Sequence, residues 1–343
     1  MHMANITLGR TGIITDKNGF GALPIQRVSF DEAAALLRRA YEVGITFFDT
    51  AHAYSDSEEK IGYALADVRA HIILATKVKG HTPEDFWREL DQSLRMMKTD
   101  YVDIYQFHMA AQCYRPGDGT GMYEAMLEAK AQGKIRHIGI TAHKIGVAEE
   151  AVDSGLYDTL QFPLSYLSGE KDLALALRCK EKNVGFIAMK GLAGGLITNS
   201  AAAYAWLDQW DHVLPIWGVQ KPHELEEFIS YMASPPTLDE EIKAVIAADV
   251  AELGGGFCRA CGYCLPCPVE IPINMCARMS QLIRRSPSAD FLSPAWQANM
   301  AKIDDCIHCG QCISRCPYEL NTPALLKQHL ADYRSILSGE TKI

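Results

Sequence analysis

The chain has 343 residues, 48% of them apolar, and a formal net charge of −9. That length suits one large domain with an appendage, the apolar fraction can fill a sizeable core, and the acidic balance excludes a nucleic-acid-binding surface. No charged-then-apolar N-terminal stretch reads as a signal peptide and no apolar run could span a bilayer, so a cytoplasmic protein is expected.

The stretch ITLGRTGIITDKN reads as a small hairpin covering a barrel floor. From Phe20 to about Tyr231, short apolar runs then alternate with helical stretches of mixed charge. The candidate strands are GFGALPIQ (19–26), ITFFDTA (45–51), HIILATKV (71–78), YVDIYQFH (101–108), KIRHIGIT (134–141), YDTLQFPL (157–164), VGFIAMK (184–190) and VLPIWG (213–218). Between them lie SFDEAAALLRRAYEVG, PEDFWRELDQSLRMM and GEKDLALALRCKEKN, each with apolar residues at helical spacing. Ser29 and Thr82 are expected N-caps and Gly44 an expected stop. Eight alternations predict a parallel sheet closed into a (β/α)8 barrel rather than an open sheet.

After Tyr231 the rhythm stops. PPTLDEEIKAVIAADVAEL reads as a connecting helix, and a boundary is placed near residue 250. Residues 1–250 would form the barrel and 251–343 an α-rich second domain. PALLKQHLADYRSIL reads as an exposed or docking helix.

Of the 11 cysteines, nine follow residue 257. A secreted disulfide protein would spread its cysteines through a short chain, whereas crowding into C-x-x-C runs points to metal. Cys258, Cys261, Cys264 and Cys267 form C-x2-C-x2-C-x2-C-P. Cys306, Cys309, Cys312 and Cys316 form C-x2-C-x2-C-x3-C-P, the bacterial ferredoxin run whose fourth cysteine ligates the other cluster. One [4Fe–4S] cluster would then take Cys258, Cys261, Cys264 and Cys316, and the other Cys306, Cys309, Cys312 and Cys267. The first run is one residue short before Cys267, so that crossover ligand is the weaker assignment. Two structural zinc sites are the competing possibility, although triplets ending in Cys-Pro do not resemble the usual paired zinc ligands. Cys113, Cys179 and Cys276 have no partner in spacing and are expected to be buried thiols.

Asp49, Tyr54, Lys77 and His108 fall at or just past the C-terminal ends of predicted strands, the face that carries the chemistry of such a barrel. Singly, each has a plain explanation: a turn cap, a loop aromatic, a solvated amine, a core histidine. Together they aim a carboxylate, a phenol, an amine and an imidazole at one mouth. A carbonyl accepting hydride needs a proton, which a tyrosine can supply. A nearby ammonium would lower the tyrosine's pKa, a buried carboxylate would anchor that ammonium, and a neutral imidazole would orient the carbonyl.

The stretches FFDTAHAYSDSEEKIGYAL (47–65), ILATKV (73–78), LDQSLRMMKTDYVDIYQFH (90–108) and AMLEAKAQGKIRHIGIT (125–141) resemble the aldo-keto reductases over roughly residues 5–235. The cysteine region resembles the ferredoxin-like appendage, with two [4Fe–4S] clusters, of one branch of that family. The resemblance implies NAD(P)H bound across the barrel mouth without a Rossmann motif. Asp49 and Gln161 would lie near the nicotinamide, with Thr141 where the family often has Ser. Lys190, Gly191 and the rest of GLAGGL (191–196) would follow the pyrophosphate. Gly218, Val219, Gln220, Glu224 and Glu227, within GVQKPHELEEF (218–228), would hold the adenosine end at a helix N-terminus. Three positions depart from the family: Ala142 replaces an Asn, Glu224 stands where a basic or amide residue often meets a 2′-phosphate, and Phe228 stands where Asn often meets adenine. The choice between NAD and NADP stays open, and with it a weakened nicotinamide site. Substrate contacts would come from His52, Trp87, Met109, Tyr114 and Arg115, the last pointing to an acidic or oxygen-rich substrate, with packing of a helix face on the barrel the preferred alternative for Trp87.

Three functions follow. The first is a carbonyl reductase or alcohol dehydrogenase whose clusters brace the C-terminal domain. In the second, the clusters wire a redox enzyme to a ferredoxin or flavoprotein partner. The third is an electron-transfer module whose barrel has lost catalysis. The four intact catalytic types argue against the third, the altered adenosine segment keeps the second open, and the first is preferred.

Overall fold

The structure, a computed structural model, describes residues 5–253, 256–285 and 288–342. The chain divides into two compact units. The first comprises residues 5–191 and Tyr204–Thr237; the second comprises Leu192–Ala203 and the described residues from Leu238 onward. The division thus falls at Leu238, and the second unit also takes a loop segment from the barrel region.

In the first unit, β1 (Asn5–Thr7) and β2 (Ile14–Asp16) pair antiparallel as the expected hairpin. The barrel strands are β3 (Gly19–Gly21), β4 (Phe47–Asp49), β5 (Ile73–Val78), β6 (Val102–Phe107), β7 (Ile135–Thr141), β8 (Thr159–Pro163), β9 (Gly185–Met189) and β10 (Val213–Gly218). They run in that order, all parallel, and β10 closes on β3. GFGALPIQ yields only three strand residues because Pro24 starts a 3-10 turn over Pro24–Arg27. The helices are α1 (Phe30–Glu42), α2 (Ser57–Leu65), α3 (Pro83–Met96), α4 (Met122–Ala131), α5 (Ile145–Ser154), α6 (Glu170–Glu181), α7 (Ser200–Asp208) and α8 (Pro222–Ala233).

Local chemistry sets these boundaries. Ser29 caps α1 through a reciprocal box with Glu32, and the Thr82 side chain accepts from the Asp85 amide at the start of α3. Gly44 takes the left-handed backbone that ends α1 (φ 99°). Ile6 and Leu8 of the hairpin region cluster with Phe47, Ala75, Ile104, Ile187, Leu214 and Ile216. Each such buried side chain contributes about 1.5–3 kcal/mol. The floor is therefore solid, and the chemistry is left to the opposite mouth.

The second unit contains α9 (Glu240–Leu253), α10 (Ile273–Cys276), α11 (Met279–Arg285), α12 (Ser288–Phe291), α13 (Pro294–Ala301), α14 (Gln311–Ser314) and α15 (Thr322–Leu337). Leu326, Leu330, Tyr333 and Ile336 of α15 pack into a core with Ile271, Met279, Ile283 and Met300, and that core also holds Cys264 and Cys312. The last helix is therefore a docked one. Among the described residues, no helix is long and apolar enough to cross a membrane.

Candidate active site and cluster cysteines

β4 ends at Asp49 and β5 carries Lys77, and the two side chains meet inside the barrel. Lys77 Nζ donates to Asp49 Oδ1 at 2.7 Å and also to the Thr50 carbonyl. Gln161 Nε2 reaches Asp49 Oδ1 at 3.2 Å, and Gln106 Nε2 reaches Oδ2 at 3.3 Å. Burial raises the Asp49 carboxyl and lowers the Lys77 ammonium, and their mutual attraction opposes both shifts. Three donors on one buried carboxylate are what keep an ion pair in place in a low-dielectric site.

Tyr54 lies in the tight loop between β4 and α2. Its amide donates to the Ala51 carbonyl and its own carbonyl accepts from the Ser57 amide. Ser57 Oγ, partnered by Thr50 Oγ1, donates to the Ala22 carbonyl at 2.9 Å, which ties the loop to the strand beside it. His108 follows the last residue of β6. The Tyr54 and His108 rings meet edge to face with centroids 5.6 Å apart, and Lys77 Nζ lies 5.5 Å from the Tyr54 ring centroid. Tyr54 and His108 stay partly open to solvent, whereas Asp49 and Lys77 beneath them are closed off.

Two pKa directions bear on this arrangement. Burial, then the nearby ammonium groups of Lys77 and Lys79, push His108 down to about 3, so its imidazole is neutral at physiological pH. Burial and the Asp49 carboxylate push the Tyr54 phenol above its usual value. That corrects the expected lowering by Lys77: the lysine's charge is already answered by Asp49, and the phenol keeps its proton.

Backbone strain marks the same rim. Ser55 after Tyr54, Met109 after His108 and Lys190 after β9 all have left-handed φ values of 37°, 49° and 60°. Such residues cost about 1–3 kcal/mol each and gather at functional sites. The Met109 amide donates to Thr141 Oγ1 at 2.7 Å, so Thr141 holds the loop that follows His108.

The substrate-contact expectations fare unevenly. His52 turns toward Glu58 Oε2 at 3.3 Å, and that contact raises its pKa. Tyr114 is a buried aromatic, tilted against Phe107 with ring centroids 4.5 Å apart and its hydroxyl 3.3 Å from His81 Nδ1. Trp87 is not brought to the mouth. It packs edge-on against Phe86 in α3, with Lys134 Nζ 5.3 Å from its ring centroid, because helical spacing turns it into the outer layer. Arg115 is spent on a surface ion pair with Glu150 at 2.7 Å, with both side chains about half exposed. Glu58 and Gln106 were missed. Glu58 sits in an apparent surface charge run, yet it is buried and accepts from Thr76 Oγ1 at 2.5 Å and Ser93 Oγ at 3.0 Å. Gln106 could have been found: it lies two residues before His108 and so faces the same side of its strand.

At the adenosine-end segment, Glu224 Oε2 accepts from the Gln220 and Lys221 amides at 2.8 and 2.9 Å. The carboxylate thus occupies the N–H groups of the two residues just before α8. Phe228 is stacked 4.5 Å from Trp217, whose Nε1 donates to Asn18 Oδ1 at 2.9 Å. Val219 is buried, Gly218 is exposed, and Glu227 accepts from the Tyr231 hydroxyl at 2.8 Å.

In the second unit the eight clustered cysteines line two hollows. Cys258, Cys261, Cys264 and Cys316 border one. Cys264, Cys267, Cys306, Cys309 and Cys312 border the other. Among the described residues, no three His, Cys, Asp or Glu side chains converge on a single ion. Thiols spaced around a hollow suit a cubane, whereas zinc wants them on a point. Cys113, Cys179 and Cys276 are buried free thiols, as expected.

Residues 17–204 match the model of the Aldo/keto reductase family. The chain belongs to that family. Residues 257–321 match a 4Fe-4S dicluster domain. The aldo/keto reductase part is similar to L-galactose dehydrogenase of Arabidopsis thaliana, 34% identical over 211 residues, which are 56% of this chain and 66% of that protein. It is also similar to the aldo-keto reductase YhdN of Bacillus subtilis, 28% identical over 57% of this chain and 64% of that protein. The chain thus spans just under two thirds of these curated relatives. Among solved structures, the holo form of aldo-keto reductase AKR11C1 from Bacillus halodurans superposes with a TM-score of 0.63 at 22% identity, covering 72% of this chain and 96% of that one. This last likeness concerns the fold alone.

Proposed function

We propose that this aldo/keto reductase moves hydride between a nicotinamide cofactor and a small carbonyl or alcohol, with Tyr54 as the proton donor and acceptor. The observation that carries this is the buried Asp49–Lys77 pair set directly beneath the facing Tyr54 and His108 rings. The nicotinamide, when bound, supplies or takes the hydride. Tyr54, holding its proton at neutral pH, gives it to the carbonyl oxygen, because an alkoxide is far more basic than a phenolate. Lys77 steadies the phenolate left behind, and Asp49 keeps Lys77 charged. Neutral His108 donates a ring N–H to the same oxygen and fixes its direction. Similarity to the methylglyoxal reductase DkgB of Salmonella typhi, 34% identical over 134 residues, agrees with a small carbonyl substrate. Those residues are 37% of this chain and 48% of that protein.

Asp49, Gln161 and Thr141 are proposed to face the nicotinamide end. Glu224 disfavours a 2′-phosphate, both by its charge and by filling the amides just before α8, so NADH is the proposed cofactor. The eight cysteines are proposed to hold two [4Fe–4S] clusters with the crossover sets given above. Cys316 borders the hollow of the first run, and Cys267 borders that of the second.

The clusters have a second role that one observation favours. Cys309 is exposed, and beside it Ile307 and Ile313 are 60% and 44% exposed. An apolar, solvent-facing cluster edge suits exchange of single electrons with a ferredoxin or flavoprotein. The deciding experiment is anaerobic purification followed by a screen of aldehydes, ketones and sugars with NADH and NADPH. Turnover supports the carbonyl reductase. Cluster reduction that requires a flavoprotein supports the wired enzyme.

A further inference from the structure

Arg278, between α10 and α11, is among the largest fully buried side chains of the molecule, at 1% exposure. Its Nη2 donates to the Gly194 carbonyl at 2.8 Å. Its Nε is buried without a hydrogen-bond acceptor among the described residues. No ion pair among the described residues includes it, although Arg284 and Arg285, a few positions on, both have carboxylate partners. A buried cation without a counter-charge is costly and is not retained by packing alone.

The missing charge has an obvious source. Arg278 follows Ala277, which lines the same hollow as Cys258, Cys261, Cys264 and Cys316. Burial pushes the Arg278 guanidinium down from its usual value, and the charge of Cys258 opposes that shift. A cubane held by four thiolates is net negative, and each electron it accepts makes it more so. Arg259 also borders this hollow, but water screens its charge more than that of Arg278. It is half-exposed, and its guanidinium is spread over the Tyr318 ring at 4.4 Å. Arg278 itself lines neither hollow, but the adjoining Ala277 borders the first and not the second.

We propose that Arg278 is the buried counter-charge of the cluster held by Cys258, Cys261, Cys264 and Cys316, and that it raises the reduction potential of that cluster and not of the other. This rests on the cluster assignment above. Net charge and solvent exposure both set such potentials, and a fixed cation in a dry site favours the form carrying one more electron. The step concerned is a one-electron reduction of the cluster by an external one-electron donor. The bond to Gly194 is the structural part of the design. At that position φ is +67°, and a Cβ would lie 3.0 Å from Arg278 Nη1, so glycine lets the guanidinium approach.

The test is a redox titration of the anaerobically purified full-length holoprotein, read by electron paramagnetic resonance, with iron and sulfide counted first. Two clusters' worth of iron and sulfide supports the assignment itself; its absence would defeat that assignment before any potential is read. Arg278→Met should shift one midpoint to more negative potential and leave the other in place. The signal that moves should be the one altered by Cys316→Ser. Unchanged midpoints in Arg278→Met with full iron, or movement of the signal altered by Cys309→Ser, overturns the proposal. If Arg278→Met does not assemble, Arg278→Lys and Arg278→Gln decide. Lysine keeps the charge and should stay near the wild-type midpoint, while glutamine should fall below it. Equal midpoints for the two variants overturn the proposal.

Discussion

The Lys77 ammonium lies 2.7 Å from the Asp49 carboxylate, with side-chain exposures of only 1% and 3%. The pair is therefore structural as well as chemical. Removing one partner leaves the other charged and buried, which costs about 3–5 kcal/mol. Lys77→Met and Asp49→Asn should each lower stability by that order in urea melts. The Asp49→Asn/Lys77→Met double variant should lose much less than the sum of the singles. A loss below about 1 kcal/mol, the range of exposed pairs, would show that the site is wetter than its burial implies.

His108 links folding to pH. Its pKa falls to about 3 in the folded protein, against about 6.5 when unfolded. Between those values the unfolded chain holds the extra proton, so stability falls as pH drops from about 6.5 toward 3 and this contribution is complete above 6.5. Wild type minus His108→Gln, followed by thermal melts across that window, should show the slope. A flat difference would mean that His108 titrates in the folded protein as it does in the unfolded chain.

Glu224 supplies a specificity test. Glu224→Gln removes the negative charge from the N-terminus of α8, and affinity for NADPH should rise relative to NADH by about tenfold, or 1.4 kcal/mol. Glutamine can keep the bonds to the Gln220 and Lys221 amides, so the change tests charge rather than capping. Fluorescence titration with both nucleotides reads the ratio. An unchanged ratio would mean that the carboxylate is distant from the nucleotide.

What the sequence revealed follows from range of interaction. The barrel is legible because each strand–helix unit carries its own period and caps: Ser29 with Glu32, Thr82 ahead of Pro83, Gly44 after α1. Asp49, Lys77 and His108 are legible because strand ends converge in any such barrel. Glu58 is not legible, since its local neighbours are charged and only tertiary packing puts Thr76 and Ser93 on its carboxylate. Arg115 fails for the same reason, since its partner Glu150 is distant in sequence. Trp87 differs: its place in α3 beside Phe86 marks it as a packing residue. The direction of the Tyr54 shift is set first by burial of the phenol and then by the Asp49 carboxylate, and tertiary packing alone determines both.

The cysteine sets predict an iron count. The purified protein should be brown and hold about eight irons and as many sulfides, in keeping with two cubanes. Cys316→Ser and Cys267→Ser should disturb different clusters. Zinc in place of iron, without sulfide, would contradict the assignment.

Tyr54→Phe tests the central chemistry most directly. The hydroxyl is lost while the ring, the Lys77–Asp49 pair beneath it and the loop stay in place. Single-turnover reduction of a carbonyl substrate should slow by about 10²–10⁴-fold with nicotinamide affinity unchanged. Turnover equal to wild type would remove Tyr54 from proton transfer and contradict the proposed role of the whole mouth.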